Sequence, residues 1–199
     1  MNKYFAEFFG TMVLTLVVIA TVFNASGWPV AAIVGLALAI LVLAIGAISG
    51  AHVNPAITLG ALSIGKISKK DALAYIACQL LGGLAALLIS KAFGQVIPTA
   101  VVDFSVVTLV AEIIGTMVFA FGVASALYGK GRGEGVTALV VGGSLMVGAF
   151  IAGGFGSYGI VNPAIALGLH VWGLSYFLGP IVGGVLGMWI YRFMHARRA

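Results

Sequence analysis

Apolar residues in this chain come in long unbroken runs, not in alternation with polar ones. Read between their Gly, Pro and charged interruptions, the runs predict helices near 4–23, 30–49, 71–92, 105–128, 136–155 and 172–194. Each is about 20 residues long, enough to cross the ~30 Å hydrocarbon core of a bilayer. A membrane β-barrel would instead show ~10-residue segments of alternating polarity, and neither 4–22 nor 30–48 alternates. Two shorter apolar stretches remain, 54–62 (NPAITLGAL) and 162–170 (NPAIALGLH). At about nine residues, or ~13 Å of helix, each falls short of half a bilayer and must leave on the side it entered. The pattern predicts an all-α membrane protein of six transmembrane helices plus two re-entrant half-helices.

The two halves of the chain repeat one another. Ala6-Glu7-Phe8-Phe9-Gly10-Thr11-Met12-Val13 recurs as Ala111-Glu112-Ile113-Ile114-Gly115-Thr116-Met117-Val118, Val53-Asn54-Pro55-Ala56-Ile57 as Val161-Asn162-Pro163-Ala164-Ile165, and Gly82-Gly83 as Gly183-Gly184. The expected organisation is a single domain over 1–199, built from a first repeat at 1–103 and a second at 104–199. Three spans per half force the second copy to insert upside down. An inverted repeat places its functional site near the midplane, where the copies meet. Lys3, Lys66, Lys69, Lys70, Lys130, Arg132, Arg192, Arg197 and Arg198 all fall on the face that carries the termini, and Lys91 alone falls opposite. The positive-inside rule therefore predicts cytoplasmic termini, with the first half-helix entering from the cytoplasm and the second from outside.

Composition agrees with this and removes other classes. The chain is 62% apolar and 8% charged, with a mean hydropathy of +1.19, far from the mixture of a soluble domain. Its net charge of +5 does not indicate a nucleic-acid partner, because the basic residues are scattered between apolar runs with no aromatic platform beside them. The first twenty residues form too long an apolar stretch for a signal peptide, carry Glu7 and lack a clear cleavage site, so they read as a retained span. Cys78 lies within a predicted helix and reads as a small buried residue. The 29 glycines suit helices that associate in lipid through small residues, as expected for Gly46 with Gly50 and Gly183 with Gly187. No His or Cys set has metal-ligand spacing and no cluster supplies nucleophile, base and acid, so neither a cofactor nor an enzyme is expected. Asn24-Ala25-Ser26 is a glycosylation sequon in a predicted outer loop.

The chemistry lies in the two Asn-Pro-Ala pieces. Asn is among the best helix N-caps, and Pro suits the first helical position, where its missing N–H has no partner to lose. A half-helix that starts at mid-membrane therefore brings its unpaired N–H groups, and about half a positive charge, to the bilayer centre. Two such ends repel cations, while the amides of Asn54 and Asn162 can donate to the oxygen of a passing water or other neutral molecule. A water that accepts from both has its hydrogens turned away and takes no proton from its neighbour.

Ser49-Gly50-Ala51-His52-Val53-Asn54-Pro55-Ala56-Ile57-Thr58, the second Asn-Pro-Ala, and an Ala-Glu-x-x-Gly-Thr span before each resemble the aquaporin and glycerol facilitator family over essentially the whole chain. The resemblance implies an aquaporin-like channel for water and small neutral solutes, a homotetramer with one pore per subunit, and a place in the plasma (inner) membrane, with the lipid bilayer as its surroundings. It further implies that Glu7 and Glu112, charged groups inside spans, accept hydrogen bonds from the re-entrant loop of their own half. His52 is expected to make a structural hydrogen bond within that loop, His170 to end a half-helix and His195 to lie in the interfacial tail.

The chain departs from that family at the outer selectivity filter. An Arg usually follows the second Asn-Pro-Ala, and here the position is Ile165. Counting from the motifs gives Val34, Gly159 and Phe150 as the other filter members, with Ala149 as the alternative to Phe150 because the Gly-rich stretch 153–159 can shift the count. A unit charge ~5 Å from a passing cation contributes about 3 kcal/mol at an effective dielectric of ~20, so without it cation exclusion falls mainly on the half-helices. A ring of Val, Phe, Gly and Ile offers no strong donor, which suggests a broadened pore for water, glycerol, ammonia or undissociated metalloid hydroxides. A narrow apolar ring that dewets is the opposite physical outcome. Inverted repeats with broken helices also serve coupled secondary transporters, but Glu7 and Glu112 are the only ionisable candidates for coupling. A poorly conducting structural membrane protein is the other alternative, and short loops such as 24–29 argue against adhesion.

Overall fold

Residues 2–23, 29–129 and 131–196 are described by the computed structural model. In chain order the elements are α1 (Asn2–Phe23), α2 (Val30–Ser49), α3 (Pro55–Ser63), α4 (Lys69–Ala92), β1 (Ala100–Val101), α5 (Val106–Tyr128), α6 (Glu134–Gly154), α7 (Pro163–Gly168), β2 (Val171–Trp172) and α8 (Ser175–Ala196). α1, α2, α4, α5, α6 and α8 are each long and apolar enough to cross a membrane, and the chain is an integral membrane protein. α3 and α7 are the two half-helices. Asn24, Ala25, Ser26, Lys130, Arg197 and Arg198 lie outside the described residues.

The halves pack as an inverted pair. α1 packs on α2 and α4, α5 packs on α6 and α8 in the same way, and α2 crosses α6 between the halves. Each half-helix leans mainly on the last long helix of the other half, α3 on α8 and α7 on α4. The glycine doublets make that exchange possible. A Cβ on Gly82 would strike the Phe8 carbonyl of α1 and one on Gly83 the Ala164 carbonyl of α7. In the other half the same clashes arise between Gly183 and Ile113 and between Gly184 and Ala56. The first glycine of each doublet thus seats the first span of its own half, and the second seats the Asn-Pro-Ala alanine of the opposite half. Small residues at such crossings let backbones meet where lipid supplies no hydrophobic drive to bring them together.

Three expectations are corrected. Gly46 meets no neighbouring helix, and Gly50 ends α2 with φ at 87°, its N–H bonded to the Gly46 carbonyl at 2.8 Å, so this pair forms a helix stop. Gly183 and Gly187 do pack on α5. The apolar run at 172 does not open the last helix, because Val171–Trp172 pairs in parallel with Ala100–Val101 and α8 begins at Ser175. For the same reason α7 stops at Gly168: His170 takes φ of 58°, and its carbonyl accepts from the Ala100 N–H at 3.0 Å. The short sheet ties the segment joining the halves to the end of α7, on the side opposite the termini.

Candidate functional site

The half-helices meet end to end through their asparagines. Asn54 Oδ1 caps α3 by accepting from the Ala56 N–H at 2.8 Å, and Asn162 Oδ1 caps α7 by accepting from the Ala164 N–H at 3.0 Å. The amides cross over. Asn54 Nδ2 donates to the Val161 carbonyl at 2.9 Å, and Asn162 Nδ2 donates to the Val53 carbonyl at 3.0 Å. Each amide carries two N–H donors, so one N–H of each remains beyond the clasp. Both side chains are almost wholly buried, at 1% and 2% exposure. Removing the cap and the bridge together, in Asn162→Ala, is expected to destabilise the channel by about 1–2 kcal/mol or more, read as a lower midpoint of thermal unfolding in detergent.

The residues before the asparagines are strained. Val53 has φ of 42° and Val161 has φ of 47°, a region β-branched residues avoid. A fully buried carboxylate holds each one. Glu7 accepts from the Val53 N–H at 2.7 Å, the His52 N–H at 3.0 Å, the Ser49 hydroxyl at 2.7 Å and Gln79 Nε2 at 2.7 Å. Glu112 accepts from the Val161 N–H at 2.7 Å, the Ile160 N–H at 2.9 Å and the Ser157 hydroxyl. The two serines also accept from backbone, Ser49 from Ala51 and Ser157 from Gly159, both at 3.1 Å. His52 Nδ1 lies 3.2 Å from the Thr58 hydroxyl, which also accepts from Gln79 Nε2 at 2.9 Å. His170 follows α7 and pairs with the Thr99 hydroxyl at 2.9 Å, and His195 stacks on Tyr191 in the last turn of α8.

On the side away from the termini a chamber of about 590 Å³ opens above this centre. Val34, Gly159 and Ile165 all border it, as does Val161 next to Asn162. Phe150 borders the chamber as well, and is 75% exposed. It lies ~100° around α6 from its neighbour Ala149, which also borders the chamber. Ala149 shares the inward face with Leu145 and Ala152, and its carbonyl is the group a Cβ at Gly159 would strike. α6 continues through Gly154 and the chain turns only afterwards, with φ of 89° at Gly156.

Residues 1–191 match the family described as Major intrinsic protein. The chain belongs to that family. Aquaporin Z of Rhodopseudomonas palustris is 32% identical over 97% of this chain and 93% of its own. A probable glycerol uptake facilitator protein of Thermotoga maritima is also 32% identical, over 98% of this chain and 100% of that one. The X-ray structure of the aquaglyceroporin from Plasmodium falciparum superposes with a TM-score of 0.66 at 22% identity, covering 98% of this chain and 94% of that one, and supports the fold. As a major intrinsic protein the chain is a membrane channel for water and small neutral solutes.

Sequence reasoning missed Ser49 and Ser157 as partners, although both precede an asparagine by five residues and share the 108-residue offset of the two Asn-Pro-Ala motifs of this major intrinsic protein. It also missed Gln79, a lone amide in an apolar helix with no counterpart to mark it.

Proposed function

We propose that water and small neutral solutes pass between Asn54 and Asn162 and then through an outer constriction formed by Val34, Ala149, Gly159 and Ile165. The observation that carries this reading is the reciprocal asparagine clasp, which brings two helix N-termini to one point and leaves an amide N–H on each side of it. Cations are refused there because both ends are electropositive, while a neutral oxygen finds donors. With Ile165 in the place of the usual Arg, the constriction holds no fixed cation, so glycerol, ammonia and undissociated metalloid hydroxides join water as permeants. We further propose cytoplasmic termini, repeats at 1–103 and 104–199, and a homotetramer in the plasma (inner) membrane with one pore per subunit. The apolar outward faces of α2 and α6, with Leu36, Ile40 and Leu139 exposed, support contact with lipid or a second subunit.

The test is flux in proteoliposomes loaded in turn with water, glycerol and potassium chloride. Water and glycerol are expected to exceed protein-free vesicles, and potassium is not. Flux of neither neutral species above background would overturn the reading. Ile165→Arg is expected to lower glycerol flux at least tenfold while water flux persists, because the guanidinium narrows the constriction and adds a fixed charge.

A further inference from the structure

Resting on the channel reading above, we infer that the outer chamber as a whole selects permeants by the hydrogen bonds they must surrender, so that neutral solutes with few hydroxyls pass ahead of polyols of similar size. The chamber is walled on every side by apolar groups: Val18 of α1, Val34 of α2, Leu145 of α6, Ile165 of α7 with Leu169 beyond it, and Pro98 of the segment joining the halves. Among its described lining residues Tyr158 alone carries a polar side chain. That residue sits at the rim, 67% exposed, with its ring stacked on Tyr176 at 5.5 Å.

The two halves do not carry the same polar groups at matching positions. At the 108-residue offset, His52 and Thr58 on the terminal side correspond to Ile160 and Ala166 here. One half thus keeps a linked polar set of His52, Thr58, Gln79 and Glu7, while Ile160 lines the chamber. Backbone carbonyls can accept from a solute hydroxyl, but apart from the exposed Tyr158 no lining side chain can return a bond to the hydroxyl oxygen. A hydroxyl that gives up water against an apolar wall and finds no partner there carries a desolvation penalty. Pro98 and Ala100, just before and within β1, line the wall as well, so the joining segment becomes part of the selective element.

The measurement is the channel-mediated permeability of 1,3-propanediol and glycerol in proteoliposomes, after subtraction of protein-free vesicles. The two differ by one hydroxyl at similar length, and propanediol is expected to lead by about tenfold. Val18→Thr, which keeps the side-chain shape, and Leu145→Asn each put a hydrogen-bonding group into the wall and are expected to narrow that ratio to about threefold. Glycerol level with or ahead of propanediol in the unmodified protein, or an unchanged ratio in both variants when they remain monodisperse and water-permeable, overturns the inference and leaves the channel reading standing. Absence of any flux above background overturns both.

Discussion

Glu112→Ala is expected to abolish a functional channel and to cut the yield of monodisperse protein severely. The substitution strips the acceptor from the Ile160 and Val161 N–H groups and from the Ser157 hydroxyl, all inside the fold. A buried donor left without a partner costs about 1–3 kcal/mol, so three of them cost roughly 3 kcal/mol or more, a large share of the ~5–15 kcal/mol that holds a domain together. The carboxylate also fixes Val161 at its positive φ, and without it the residue relaxes toward an ordinary region. Relaxation turns the Val161 carbonyl away from Asn54 and opens the clasp. Glu112→Gln is expected to fall between the two, since its amide oxygen still accepts while its NH2 faces donors. Size-exclusion profiles and osmotic flux on the same preparations read both effects, and an alanine variant with unchanged profile and flux would contradict this account of Glu112.

Gly83→Val is the second large effect. A side chain there drives into the Ala164 carbonyl, a backbone atom at the start of α7 that cannot swing aside. Overpacking a tight contact costs about 1–3 kcal/mol even where neighbours can move, and here relief requires the half-helix itself to shift. The variant is expected to lose solute flux and to unfold at a lower temperature. Gly143→Ala is the matched control: a Cβ at Gly143 meets nothing within 4 Å, and its effect is expected within ~0.5 kcal/mol. Equal thermal midpoints for the two variants would show that the Gly83 contact contributes nothing to the fold.

Much of this was legible before the structure, for identifiable reasons. The long helices were readable because lipid demands ~20 apolar residues, and α2 was expected at 30–49 and runs Val30–Ser49. Asn-Pro marked both half-helix starts because capping is local chemistry. What stayed hidden depended on contacts far away in sequence. Val171 and Trp172 look like the opening of a helix until Ala100 and Val101 pair with them. No propensity places a valine at positive φ, so the strain at Val53 and Val161 becomes intelligible only once Glu7 and Glu112 are seen bonding their N–H groups. The choice between Phe150 and Ala149 was not legible in the sequence, because a helix face turns ~100° per position and both residues border the chamber.

The crossed amides also constrain how the molecule is made. Asn54 finds its carbonyl 107 residues further along the chain, and Asn162 finds its own 109 residues back. During synthesis the first re-entrant segment emerges long before its mate exists, with a polar amide at mid-bilayer depth and nothing to receive it. It stays exposed to whatever water or insertion machinery surrounds it until the later half threads in and closes the lock, so neither half is a finished structure by itself.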